Sequence, residues 1–495
     1  MLAAQFPVFP VIIPLLSAPL AALMPNRLLA WLLALAVSLV VFITAIFLAI
    51  SVYDGTIISY AVGGWVAPYG IELRVDAFSA VMLLVVSGAS TLALLTAKPS
   101  IDQDIAADRQ PLFYAAWLLA LAAYCGIAVA GDAFNIFVFM EISSLASYVL
   151  IANGPHRGAL PATFKYLVMG TVGASFYLIG VGLLYMMTGT LNLADLSQRL
   201  MNAPHLHPVM LAAAFVTIGL ALKAAIFPLH VWMPNAYAKA PSAVAVFLAA
   251  SATKVMLYVL FRFDFLVFGG ALALHDLHFA SFLMPLALLA MIIGSAVAMR
   301  EQNIKRMMGY SSVAQLGYIL LGATLLSTAG LTAAVVHMFN HAMIKGGLFL
   351  AIAALVVRIG GADLKAFEGA GRRMPWTMAG FVFLGMSLVG VPLTAGFISK
   401  WVLVGAALEQ GALGVALIVA ILISSLMAVV YIWRVVEVAY FRAPADDLPP
   451  PREAPLVMLI PLWGMVGLNI YFGLDPQIPM ELAGHAAQIL MEHAK

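Results

Sequence analysis

Apolar stretches long enough to cross about 30 Å of hydrocarbon recur along the whole chain, separated by short polar breaks. Their periodicity and length predict fourteen spans: residues 7–24, 28–52, 76–96, 111–129, 132–152, 162–187, 208–238, 241–262, 280–299, 304–325, 328–357, 376–408, 411–440 and 455–473. Segment 53–75 is different. It alternates and carries Gly55, Gly63, Gly64 and Gly70, the pattern of a small β-hairpin outside the bilayer. The fold class expected is an all-α polytopic membrane protein. Residues 1–110 hold the first three helices and the outside hairpin. A five-helix unit over 111–262 and a second over 263–440 follow, then a last helix and tail over 441–495.

Two spans are interrupted. Pro228 and Pro234 lie in span seven, within LKAAIFPLHVWMPNAYAKAP, and Pro392 lies in span twelve, within LVGVPLTAGFISKW. Proline removes a backbone donor and breaks the helical ladder. At membrane depth, freed carbonyls persist only inside protein or beside water. A weak internal match accompanies the breaks. Glu141-Ile-Ser-Ser-Leu-Ala in span five resembles Gly309-Tyr-Ser-Ser-Val-Ala in span ten, at nearly the offset that separates Pro228 from Pro392. Five spans per unit reverse the topology between copies, so spans four to eight and nine to thirteen are expected to be inverted repeats with an ion path near the midplane.

Composition agrees with the span count: 64% of the 495 residues are hydrophobic and 9% charged. A net charge of +2 gives no footing for nucleic acid. The single cysteine, Cys125, excludes a disulfide framework, a cysteine-ligated iron–sulfur cluster and c-type haem attachment. The apolar start has no basic leader and no small-residue cleavage site, so it reads as a retained first span. Placing the N-terminus outside puts most loop Lys and Arg on the inner side, leaving Arg74, Arg199, Arg262 and Lys495 outside. Both termini are therefore expected outside the cytoplasm, in a plasma (inner) membrane.

Against this background the charges inside spans stand out: Lys223, Lys254, Lys345, Lys400 and Arg434, with Glu141, Glu437, His337 and His341. A lysine at mid-bilayer costs at least ~2.5 kcal/mol on insertion scales. Holding and releasing protons in a wet path is the natural use of such a set. His337, His341 and Lys345 follow at spacings of four, which places them on one helical face. Lys223 precedes the first break and Lys400 follows the second. Arg434 and Glu437, three apart, are expected to pair with each other. The H-x3-H spacing also suits zinc, but no third ligand is near in sequence and the HExxH glutamate is missing, so no metal is read. No catalytic residue set is read either.

Several strings together carry a resemblance: GDAFNIFVFMEISSLASY, ALKAAIFPLHVWMPNAYAKAPSAVAVFLAASATK, NIKRMMGYSSVAQLGY and HMFNHAMIKGGLFL. Over about residues 110–440 the chain resembles the antiporter-like proton-translocating subunits shared by complex I, membrane-bound hydrogenases and Mrp-type antiporters. The resemblance implies fourteen helices, inverted five-helix repeats and a hydrated charged axis at mid-membrane. By position it makes Glu141 a gating acid, Lys223 and Lys254 the lysines of spans seven and eight, and Lys400 a terminal site. His337, His341 and Lys345 become the span-eleven relay. Length, Lys400 and GTLNLADLSQRL are most similar to the D-subunit branch of the Mrp-type antiporters.

The function expected is a proton-translocating subunit of a multi-subunit Na+/H+ antiporter, with H+ and Na+ as transported ions, no cofactor, and other membrane subunits as partners. The alternative is the same module in a redox-driven pump, either complex I or a membrane-bound hydrogenase. A lipid-linked substrate flippase would instead need a large amphipathic cavity lined by arginines.

Overall fold

The computed structural model describes residues 3–201, 206–269, 279–443 and 452–492. The N-terminal part holds α1 (Phe9–Ala22), α2 (Arg27–Ser51), β1 (Ile58–Ala61), β2 (Glu72–Val75) and α3 (Ala77–Asp104). The alternating segment forms an antiparallel pair, with Ile58 opposite Val75 and Ala61 opposite Glu72. Next come α4 (Gln110–Val129), α5 (Ala133–Ala152), α6 (Ala159–Thr188), the short α7 (Leu193–Leu200), α8 (Leu206–Lys223), α9 (Met233–Lys239) and α10 (Ser242–Phe261), which runs on as a π-turn through Arg262–Val267. The following stretch is α11 (Phe279–Ala298), α12 (Ile304–Thr324), α13 (Thr328–Ile359), α14 (Ala370–Arg373), α15 (Pro375–Val389), α16 (Ala395–Leu408) and α17 (Ala412–Phe441). Helices α18 (Leu456–Leu474) and α19 (Gln477–Glu492) close the chain.

Among the described residues, eleven helices are long and apolar enough to cross a membrane, and 207–223, 375–389 and 395–408 are shorter apolar helices. These shorter ones are the pieces of the two interrupted spans. In the first, α8 stops at Lys223, Ala225 takes a left-handed φ of 56°, and α9 begins at Met233. Pro228 lies within that turn. Pro234 does not break a helix; it sits in the first turn of α9, where its missing N–H leaves nothing unpaired. In the second, α15 ends at Val389, Gly390 (φ 93°) and Leu393 (φ 70°) reverse the backbone around Pro392, and α16 begins at Ala395. A Cβ on Gly396 would lie 1.8 Å from the Ser387 carbonyl, so only glycine lets α16 pack this tightly on the last turn of α15.

The packing runs from a polar-lined centre to an apolar rim. Every residue of α10 is buried, as is most of α4, α12 and the middle of α13. The outer helices present Leu, Ile and Val outward, among them Leu39, Ile43 and Ile50 of α2 and Val419, Leu422 and Leu426 of α17. Lipid tails accept such a surface, which water would not. The chain is an all-α multi-pass integral membrane protein.

One tie is built twice. At the start of α5, Ala133 N donates to Leu191 O and Leu193 N to Gly131 O, both at 2.9 Å. At the start of α12, Ile304 N donates to Ala362 O at 2.8 Å and Leu364 N to Gln302 O at 2.7 Å. Asp132 caps α5 and Asn303 caps α12 through their side chains. Each tie joins a long helix to a short one that follows a glycine-capped helix, α6 at Gly189 and α13 at Gly360.

Candidate functional site

At the first break, Lys223 is the last residue of α8, and its side chain is 2% exposed. Its Nζ donates to Glu141 Oε1 at 2.8 Å and to Ser144 Oγ at 2.7 Å. The negative end of the α8 dipole also favours the ammonium. Glu141 is less enclosed, with 29% of its side chain uncovered on the surface of α5. One turn beyond Ser144, Ser147 shares a 3.0 Å hydrogen bond with Tyr124 of α4. Tyr237 of α9 donates to Leu248 O of α10 at 3.1 Å, and Thr253 of α10 is buried. Lys254 follows it, fully buried, with Nζ donating to Ala249 O.

Lys254 lies within electrostatic reach of His337, His341 and Lys345 on the neighbouring α13. The predicted row is present: the rings of His337 and His341 stack 6.0 Å apart at 6°. His337 Nδ1 meets Ser399 Oγ at 2.8 Å, and its Nε2 meets Gln315 Oε1 at 2.9 Å. His341 is fully buried, and neither ring nitrogen has a hydrogen-bond partner among the described residues. Lys345 donates to Met308 O at 2.8 Å and to Ser311 Oγ. Lys400, one residue after Ser399, donates to Leu388 O at 3.1 Å, Val389 O at 2.8 Å and Ser425 Oγ at 3.0 Å. Its Nζ also lies 4.7 Å from the centre of the Tyr318 ring. The carbonyls freed by the second break thus hold a cation, as they do wherever a half-helix ends inside protein.

Several partners carried no signal in the sequence. Gln315 and Tyr318 of α12, Ser399 and Ser425 connect the basic groups, yet single serines and tyrosines in apolar runs are ordinary. Gln315, an amide in the middle of a span, was the signal that could have pointed to them. One expectation is corrected. Arg434 does not pair with Glu437. Its guanidinium donates to Met299 O and Glu301 O, while Glu437 faces Arg442 at 3.4 Å. Capping the end of α11 satisfies several N–H groups at once, which a lone carboxylate three residues away does not. Arg262, at the outer end of span eight, is enclosed: its side chain is 4% exposed and pairs with Asp76 at 2.5 Å. Lys305 is likewise buried, donating to Ser242 Oγ at 2.9 Å.

The sequence matches the family described as NADH:quinone oxidoreductase/Mrp antiporter, TM, over residues 130–428. It is 39% identical to the N subunit of the NADH-quinone oxidoreductase of Desulforudis audaxviator, over 94% of this chain and 96% of that protein. It is 30% identical to the D subunit of the Na(+)/H(+) antiporter of Bacillus subtilis, over 99% of this chain and 98% of that protein. Its fold superposes on a chain of the Mrp complex from Dietzia with a TM-score of 0.89 at 27% identity, covering 99% of this chain and 98% of that one.

Proposed function

Because the chain belongs to the NADH:quinone oxidoreductase/Mrp antiporter transmembrane family, we propose that it is a proton-translocating subunit of a multi-subunit Na+/H+ antiporter. Protons move laterally along Lys223, Lys254, the His337–His341–Lys345 row and Lys400. The observation that carries this is the run of buried basic groups linked by hydroxyls, an amide and freed carbonyls, with His341 buried between its neighbours and bonded to no described protein atom. An apolar interior leaves such groups unsatisfied at a cost of several kcal/mol; a file of water satisfies them and conducts protons. Opening or closing the Glu141–Lys223 pair changes how tightly Lys223 holds its proton, which times the transfer. No catalytic chemistry, cofactor or metal is needed, and the ions moved are H+ and Na+.

Partner subunits follow from Glu141. Its uncovered side faces outward at mid-span, where hydrocarbon is an expensive neighbour for a carboxylate. A second membrane subunit, or water held by one, completes it. The eleven long apolar helices, the two broken spans and the polar α12 support fourteen crossings. The duplicated tie at α5 and α12 supports two five-helix repeats of inverted topology, over 111–262 and 263–440. The loop charges support termini outside the cytoplasm of a plasma membrane.

The likeness to the N subunit of NADH-quinone oxidoreductase favours a second reading, the same proton module driven by a redox enzyme. Purification in mild detergent separates the two. Antiporter membership predicts only membrane subunits in the complex, with H+ exchange driven by Na+. Co-purifying flavin or iron–sulfur subunits would assign the chain to the redox machine.

A further inference from the structure

Towards the β-hairpin, α10 carries a second polar file. Lys254, Tyr258 and Arg262 follow at spacings of four, so they share one face with about 6 Å of rise between neighbours. Tyr258 OH donates to Ala128 O at 2.7 Å and lies 3.1 Å from both Ser79 Oγ and Arg262 Nε. Arg262 donates to Asp76 and, at 3.0 Å, to Ser79 Oγ. Asp76 is completely buried, and its Oδ2 has no partner among the described residues. On the side of Tyr258 and Arg262 lies a cavity of about 10 Å³, lined by these two with Glu72 and Arg74 among others. That is about the room one water needs. Arg74 Nε is also buried without a described partner, and Glu72 reaches the surface at the hairpin.

We propose that Tyr258 and this cavity form a proton branch connecting Lys254 to the hairpin face of the chain. The inference rests on the proton-carrying role of Lys254. The lysine stem is flexible and long enough to turn from Ala249 O towards Tyr258. Lys254 Nζ gives a proton to water and becomes neutral. Tyr258 OH takes that proton and releases its own on the far side. A water in the cavity, which Tyr258 itself lines, accepts it and carries it towards Glu72. Lys254 is recharged from the α13 row. Arg262 never releases a proton; it stays paired with Asp76 and fixes the wall of the cavity.

The rival account is a dry pin fastening α3 to α10, and the two accounts predict opposite results at Tyr258. In the purified complex reconstituted into vesicles with an internal pH dye, Tyr258→Phe keeps the ring contacts with Phe78 and Arg262 but removes the hydroxyl. Proton flux should fall by about 100-fold, the low end of what a positioned proton carrier contributes. Tyr258→His, which can carry a proton but packs worse, should retain more flux than Tyr258→Phe. A pin predicts the reverse order, and that order overturns the branch. If Tyr258→Phe does not assemble, Glu72→Gln at the hairpin end of the cavity carries the same test: lowered flux supports the branch and full flux overturns it. Glu141→Gln is the control. Lost flux there with full flux in Tyr258→Phe defeats only the branch, whereas full flux in both defeats the lateral path as well.

Discussion

The two helix breaks hold a lysine by different means. At the first, Lys223 ends α8 and meets a carboxylate at 2.8 Å. At the second, Lys400 meets two carbonyls from the end of α15, a serine hydroxyl and a tyrosine ring, and among the described residues no acid pairs with it. Both ammonium groups use the negative end of a half-helix. Only the first can be switched by moving one side chain, because only there is a full counter-charge involved. The second is a fixed cradle, set by backbone that the broken ladder left free. One half of the chain therefore reads as a gate and the other as a terminus.

Neutralising each lysine with glutamine should break the comparison most sharply. Lys223→Gln and Lys400→Gln should both reduce proton flux by about 100-fold or more, the scale on which a positioned proton carrier acts. Their stabilities should differ. Lys400→Gln keeps donors for the carbonyls and removes a buried charge, so the melting temperature of the complex should hold or rise. Lys223→Gln leaves Glu141 without its cation. A fully buried broken pair costs about 3–5 kcal/mol, and the partial exposure of Glu141 reduces this to about 1–2 kcal/mol. Thermal melts of the two variants that coincide would remove the distinction between gate and cradle.

The cradle depends on close backbone contact, so Gly396→Ala comes next. Its Cβ would meet a carbonyl oxygen, and α16 must shift away from α15. Overpacking of this kind costs about 1–3 kcal/mol, read as a lower melting temperature and slower flux. Gln315→Leu should sharpen the link between the halves. It removes the partner of His337 Nε2 without touching any charge, and flux should fall about tenfold with assembly intact.

The smallest expected effect lies outside the path, in α7. Arg199 pairs with Asp195 one turn away and holds its carboxyl below the ordinary range through their hydrogen bond. That support is present at neutral pH and is lost as pH falls through the lowered value. Asp195→Asn should cost no more than about 0.5 kcal/mol at pH 7 and nothing in acid, seen by melting at both pH values.

Much of this was legible in the sequence, for physical reasons. Spans are read from apolar length, and the broken ones from proline. A buried charge is conspicuous because it is costly. Lys223, Lys254, Lys345, Lys400 and the histidine pair were therefore visible as single residues. What links them was not. Ser144, Ser399, Ser425 and Tyr124 are unremarkable in composition and matter only through contacts between helices far apart in sequence. Arg434 shows the limit from the other side. Spacing on its own helix suggested Glu437, but the end of α11 offered a better set of acceptors. Arg262 was counted only as an outside charge at a span end, because its partner Asp76 lies far back on the cap of α3.

The central claim is that the Glu141–Lys223 pair gates proton movement along the buried basic row. Proton exchange in vesicles bearing the reconstituted complex, driven by an imposed Na+ gradient and compared between native protein and Glu141→Gln, tests it most directly. The account predicts that Glu141→Gln assembles with all partners and loses exchange by about 100-fold or more. Exchange at the native rate in a fully assembled Glu141→Gln complex would contradict it.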